Sequence, residues 1–194
     1  MSVQGSGPGK NEGGKTDGGK TDGGQNNGGH GNEGQEDRHP RTDLKIERPV
    51  RLAPSRAFEL ITRPEHLVGW WGPKGVTLGA HQLDFTRLGP WSSVMTEPEA
   101  GWHRVSGEVL SISEGEAVEI SWAWHDRETD VRGHESRVRL AVRDDGAGGT
   151  ILTMQQSGLA DAESARLHRE GWSSSLGRID AMITPPAPFP DSTP

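Results

Sequence analysis

Residues 161–183 read DAESARLHREGWSSSLGRIDAMI, and this stretch decides the fold. Leu167, Trp172, Leu176, Ile179 and Met182 or Ile183 recur at three-to-five-residue steps, which predicts one long helix with a single apolar stripe. Asp161 suits its N-terminal end, with Glu163 and Ser164 beside it. An amphipathic helix needs a surface to cover, and the preceding hundred or so residues supply a sheet. Strand-like stretches run over Val76–Thr86, Trp91–Glu97, Trp102–Ser113, Glu116–His125, Gly133–Arg143 and Thr150–Gln156. Turn residues separate them, among them Leu88-Gly89-Pro90, Glu114-Gly115 and Asp144–Gly149. Two strands show their faces by alternation. Val118, Ile120, Trp122 and Trp124 oppose Glu119, Ser121 and His125, while Val138, Leu140 and Val142 oppose Arg137, Arg139 and Arg143.

Upstream, Asp43–Leu52 opens the unit as a strand. Ala53–Ile61 reads as a short helix with Pro54 in its first turn, and Arg63–Trp70 as a second, stopped by Gly72-Pro73. The order is strand, two short helices, six strands, one long helix. A curved antiparallel sheet of six to seven strands has one face to cover, and the C-terminal helix covers it. The expected class is α+β with helix-grip architecture.

The flanks are of a different composition. Residues 1–41 hold the repeat Gly13-Gly14-Lys15-Thr16-Asp17, Gly18-Gly19-Lys20-Thr21-Asp22, and within 1–40 the only apolar side chains are Met1 and Val3. Such a segment buries too little apolar surface to offset chain entropy and is expected to be a disordered tail. Thr184–Pro194, with five prolines, is expected to be a second one. The folded domain is thus predicted over 42–183. Gly9 through Gly14-Lys15-Thr16 satisfies the phosphate-loop spacing, but no strand precedes it and no helix follows. Amides there cannot converge on a phosphate, and the match is rejected.

Net charge is −7, from 21 basic and 28 acidic residues, which argues against nucleic acid or an anionic membrane as partner. The chain has no cysteine, so disulfides, thiolate catalysis and Cys-based zinc sites are excluded. No apolar run approaches the ~20 residues of a membrane-spanning helix, and the first 30 lack a secretory core. A cytoplasmic location is expected, and a homodimer is compatible with the sequence.

The ordered set of local motifs resembles the activator-of-heat-shock-protein-90-ATPase-homologue-like branch of the START-like (SRPBCC) superfamily. The residues carrying it are Phe58-Glu59-Leu60-Ile61-Thr62 leading into His66-Leu67-Val68-Gly69-Trp70-Trp71-Gly72-Pro73. Arg87-Leu88-Gly89-Pro90-Trp91 with Met95 comes next, then Gly107-Glu108-Val109-Leu110 and Val118 through Trp124. Gly149 to Met154 and Glu170-Gly171-Trp172 complete it, so the likeness spans almost all of 42–183. The resemblance implies a cavity between sheet and long helix that takes lipids, polyketides or other apolar small molecules. Some relatives catalyse cyclisation or aromatisation there. The chaperone activator that names the family has a further N-terminal domain, which the glycine-rich 1–41 segment cannot replace, so a chaperone partner is not expected.

All seven tryptophans fall between Trp70 and Trp172, and there is no tyrosine. Trp91, Met95, Trp122, Trp124, Met154 and Trp172 are the candidate walls of an apolar cavity, with His81 and Gln156 as candidate polar contacts. The same rings also suit a filled core. No His-x-x-x-His or His-Glu-x-x-His spacing occurs, so no metal and no other cofactor is expected. The Ser173-Ser174-Ser175 run lies in a helix and not on a nucleophile elbow; it is read as a place of close helix approach. His125 sits on the Glu119/Ser121 face, pointing away from the cavity. Three functions follow. The first is binding of a small hydrophobic molecule. The second is a cyclase, aromatase or lyase in the same cavity, which needs an inward titratable group such as His81 or Asp84. The third is a protein-interaction module.

Overall fold

The structure is a computed structural model in which residues 42–99 and 101–184 are described; the expected tail at 1–41 and all but Thr184 of the one expected at 184–194 lie outside them. Seven antiparallel strands form one sheet in the order β1-β7-β6-β5-β4-β3-β2. They are β1 (Thr42–Val50), β2 (Thr77–Gln82), β3 (Gly89–Glu97), β4 (Gly101–Ser113), β5 (Ala117–Trp124), β6 (Ser136–Asp144) and β7 (Thr150–Leu159). From β2 to β7 each strand pairs with its successor, and β1 returns the chain's start to the far edge beside β7. The α+β helix-grip class is what is found.

Between β1 and β2 lie α1 (Pro54–Thr62) and α2 (Pro64–Trp70). Each starts at a proline, whose missing N–H costs nothing in a first turn. α1 buries Ala57, Phe58, Leu60 and Ile61 and packs on β6 and β7. The Trp70 indole N–H donates to the Leu60 carbonyl (3.0 Å), fastening α2 to α1. Gly72, at φ +87°, then turns the chain out of α2. A side chain there would be strained, and its Cβ would crowd the Met95 sulfur at 3.1 Å.

The closing helix differs from its reading in one respect. It runs as α3 (Ala162–Gly177) and α4 (Ile179–Ile183), interrupted at Arg178. There the ladder tightens, with Arg178 N–H on the Ser175 carbonyl and Ala181 N–H on that of Arg178. The Arg178 guanidinium leaves the helix to hold the Trp71 and Gly72 carbonyls (3.3 and 3.1 Å). Asp161 caps α3, its carboxylate accepting from Ser164 N–H at 2.7 Å.

Alternation assigned the inner face correctly for Val118, Ile120, Val138, Leu140 and Val142, all buried. The outer face of β5 is drier than expected, because Ser121 and Ala123 are buried as well. The segment after β5 folds back over them. His125 bridges to Arg132, Gly133 N–H donates to the Trp124 carbonyl, and the Arg132 guanidinium reaches Ser106 O and Ser121 Oγ. His125 itself hydrogen bonds Ser106 Oγ (2.7 Å) and the Asp130 carbonyl (2.9 Å). This Ser-His-Asp trio clasps a loop on the outer sheet face, where neither hollow described below includes it. On the next strand the basic stripe is partly paired, Arg137 with Glu119 at 3.2 Å.

Candidate functional site: a tryptophan-walled cleft under the closing helix

The tryptophans converge on the inner face of the sheet. Trp71, the residue just after α2, is the hub, with ring centroids of Phe85, Trp91, Trp122 and Trp172 at 5.5–5.9 Å. Trp122 in turn lies 5.1 Å from Trp172, 5.4 Å from Trp91 and 5.5 Å from Trp124. Tilted and edge-on pairs of this kind contribute ~0.5–1.5 kcal/mol each beyond area burial. Four of the indole N–H groups around this cluster are fixed by partners. Trp71 donates to Ser93 Oγ (2.9 Å), Trp91 to the Ser121 carbonyl (3.2 Å), Trp172 to Gln156 Oε1 (2.8 Å) and Trp124 to His168 Nε2 (3.1 Å).

The cluster does not fill the space beneath α3. A cleft of about 680 Å³ opens between the N-terminal half of that helix and strands β3, β4 and β5, within the ~300–1,000 Å³ range of small-molecule sites. Its floor is Trp71, Met95, Trp122 and Trp172, with Trp124 and His103 at one side. Besides Trp172, the helix contributes Leu167, His168 and Gly171, and the segment after α2 contributes Gly72, Pro73 and Val76. Glu97, Asp161, Glu163 and Ser164 complete the lining, which includes no lysine or arginine. The walls are mostly apolar for a physical reason. Every second residue of β3 and β5 faces inward, and at those positions stand Met95, Trp122 and Trp124.

His168 is a titratable group of this wall, half-buried on α3. An indole N–H can only donate, so Trp124 fixes His168 Nε2 as an acceptor. The proton then sits on Nδ1, which donates to the Ser164 carbonyl at 2.8 Å. Burial pushes the His168 pKa below its ordinary value, against the opposing pull of the Ser164 carbonyl. The imidazole is therefore neutral at pH 7, with both nitrogens engaged.

Of the eight residues singled out from sequence, the structure brings four to the cleft: Met95, Trp122, Trp124 and Trp172. Trp91 and Met154 stand apart from it, sealed in the core at 1 % and 0 % exposure. Trp91 backs Trp122, and Met154 lies on β7, one of the two strands covered by α1. Gln156 is also buried, but as a support. Its amide N–H donates to Ser136 Oγ (2.9 Å) while its oxygen holds Trp172 in place. His81 is elsewhere, on the edge strand β2, exposed, with its ring bonded to the Gly79 carbonyl of its own strand (2.8 Å). An edge strand has no neighbour on its far side to enclose such a ring.

Asp84, the other inward candidate, is spent on a turn. Burial raises its pKa, but hydrogen bonds from Thr86 and Arg87 outweigh that and hold it below the usual value. Sequence reading missed Trp71, His168 and Gly171. Helical spacing counted back from Trp172 reaches His168 one turn earlier, so that signal was present. Trp71 gave none, because it sits past a helix end where neither periodicity applies.

Ser175 is buried with its hydroxyl on the Gly171 carbonyl (2.8 Å), and Ser174 Oγ accepts from Lys74 N–H (2.9 Å). A second hollow, of about 260 Å³, lies over the outer sheet face among Lys45, Glu119, Arg137 and Arg139. Among the described residues no three His, Asp or Glu side chains form a metal-binding group, and no helix is long and apolar enough to cross a membrane.

Sheet, grip helix and intervening cleft define a START-like domain. Residues 51–184 match the family model described as Activator of Hsp90 ATPase homolog 1-like protein, and the chain belongs to that family. It is similar to the AHSA1 protein of Silicibacter pomeroyi, at 40 % identity and TM-score 0.69, over 73 % of this chain and 97 % of that one. Protein Ms6760 of Mycobacterium smegmatis shares the fold at 21 % identity and TM-score 0.63, over 75 % and 93 %. So does DynU16, a protein of the dynemicin biosynthetic locus, at 18 % identity and TM-score 0.57, over 73 % of this chain and 46 % of that one. No curated protein matches the chain.

Proposed function

We propose that this protein binds a small apolar molecule in the cleft between sheet and α3. The observation that carries the reading is the mismatch between the helix and what lies beneath it. Leu167, the first apolar residue of its stripe, is 53 % exposed over a hollow bounded by Trp122, Trp124 and Trp172. A helix cover left unfilled at one end forgoes apolar burial of ~25 cal/mol per Å², and a bound molecule recovers it. His168 supports binding over proton transfer, since both its nitrogens are committed within the protein.

Gly171 supplies the test. It lies in helical backbone on the cleft wall, and a Cβ there meets only the Pro73 ring, at an ordinary 3.9 Å. Gly171→Phe plugs the cleft and raises helix propensity. N-phenyl-1-naphthylamine, an uncharged dye that brightens in apolar surroundings, is expected to bind the full chain. In Gly171→Phe the signal is expected to vanish while the unfolding midpoint holds or rises. No brightening, or brightening indifferent to the plug, contradicts the reading.

A further inference from the structure

One indole breaks the pattern of the others. Trp122, 5 % exposed on the cleft floor, has a buried Nε1–H without any hydrogen-bond partner. Among the described residues the only comparable atom is Arg48 Nε, whose guanidinium is already paired with Asp180. Leaving a buried donor unmet costs on the order of 1–3 kcal/mol, and the fold meets that need for Trp70, Trp71, Trp91 and Trp172. The lining is also one-sided in charge. Glu97, Asp161 and Glu163 are its acidic side chains, with Glu163 turned to Arg166 (2.7 Å), and no lysine or arginine joins them in the lining.

Resting on the binding role given above, we propose that the cleft selects a flat, uncharged apolar molecule carrying an oxygen acceptor, and that the Trp122 indole N–H donates to it. Trp122 then sets specificity, and the carboxylates exclude organic acids, whose charge would be desolvated beside like charge. The N–H is sealed from solvent, and of the rings packed on Trp122 the one able to yield is Trp124. It is 36 % exposed and its indole is anchored by a single hydrogen bond, to His168. Movement of that ring admits the acceptor to the Trp122 edge.

Three naphthalenes of nearly one shape separate the parts of this proposal. 2-Acetylnaphthalene carries the oxygen acceptor, 2-isopropenylnaphthalene replaces that oxygen by CH₂, and 2-naphthoate adds the charge. Each competes with N-phenyl-1-naphthylamine for the full chain. The ketone is expected to bind more tightly than the alkene, and Trp122→Phe is expected to cut that ratio of affinities about fivefold or more, whatever the smaller ring does to the two affinities in common. 2-Naphthoate is expected to bind at least about tenfold more weakly than the ketone. In the wild-type chain, where no variant need fold, the Trp122 indole proton resonance is expected to move downfield with ketone and not with alkene.

Equal binding of ketone and alkene, with no downfield shift, overturns the role of Trp122 and leaves the cleft a binding site. Binding of naphthoate as tight as the ketone overturns the exclusion of acids. If neither the dye nor any naphthalene binds, the binding role itself falls and this inference with it.

Discussion

From Trp172 to Ile179 the closing helix rests on the core, with Trp172, Ser175, Leu176 and Ile179 all buried. From Ala162 to Gly171 the same helix spans a hollow, and its residues there are half-buried or exposed. Both halves come from one amphipathic stripe, so the stripe alone does not say whether core or cavity lies below. The difference comes from the sheet side. Under the first half the rings of Trp71 and Trp122 pack on each other, on Phe85 and Trp91, and on Trp172 where the second half begins, which leaves room above them. Under the second half, Arg178 ties the helix to the Trp71 and Gly72 carbonyls, and Lys74 N–H reaches Ser174.

The largest expected effect contrasts one leucine from each half. Leu176→Ala empties a site 1 % exposed and is expected to cost roughly 2–5 kcal/mol in urea unfolding. Leu167→Ala is expected to change stability by no more than about 0.5 kcal/mol, because that side chain is 53 % exposed. Dye affinity should fall with Leu167→Ala all the same. Equal costs at the two positions would erase the distinction between the halves.

A smaller effect lies in pH. Burial depresses the His168 pKa in the folded protein below the ordinary 6.5. Above that value both folded and unfolded forms are neutral, and the residue makes stability no steeper with pH. As pH falls through 6.5 the unfolded chain takes up the proton first, so this residue's share of stability is lost down to the folded pKa. Urea midpoints from pH 7.5 to 5 should therefore decline less steeply in His168→Gln than in the wild type. Identical slopes would mean that the imidazole is not held neutral by its place in the wall.

Much of the fold was legible because it rests on periodicity. The β5 and β6 alternations, the two proline-led helices and the stripe at Leu176 and Ile179 are all local patterns, and each stands where it was read. What lay beyond local pattern was lost. The interruption at Arg178 depends on carbonyls more than a hundred residues earlier, and the dryness of Ser121 and Ala123 depends on a loop that folds back. The site was half legible. Strand parity put Trp122 and Trp124 on the inner face, and helix spacing put Trp172 opposite them. Depth was not readable, since parity cannot tell Met154 or Trp91, sealed in the core, from Trp122, at the edge of a hollow. Gln156 was read as an inward amide and is one, but its partners are Ser136 and Trp172.

Amide hydrogen exchange along the closing helix tests the central claim most directly. Exchange of α3 and α4 peptides is followed in the full chain with and without N-phenyl-1-naphthylamine. Protection on dye binding is expected to rise in 162–171 and to stay unchanged in 172–183, which is already seated on the core. A gain spread evenly over both halves, or confined to 172–183, would contradict a binding cleft beneath the first half of the helix.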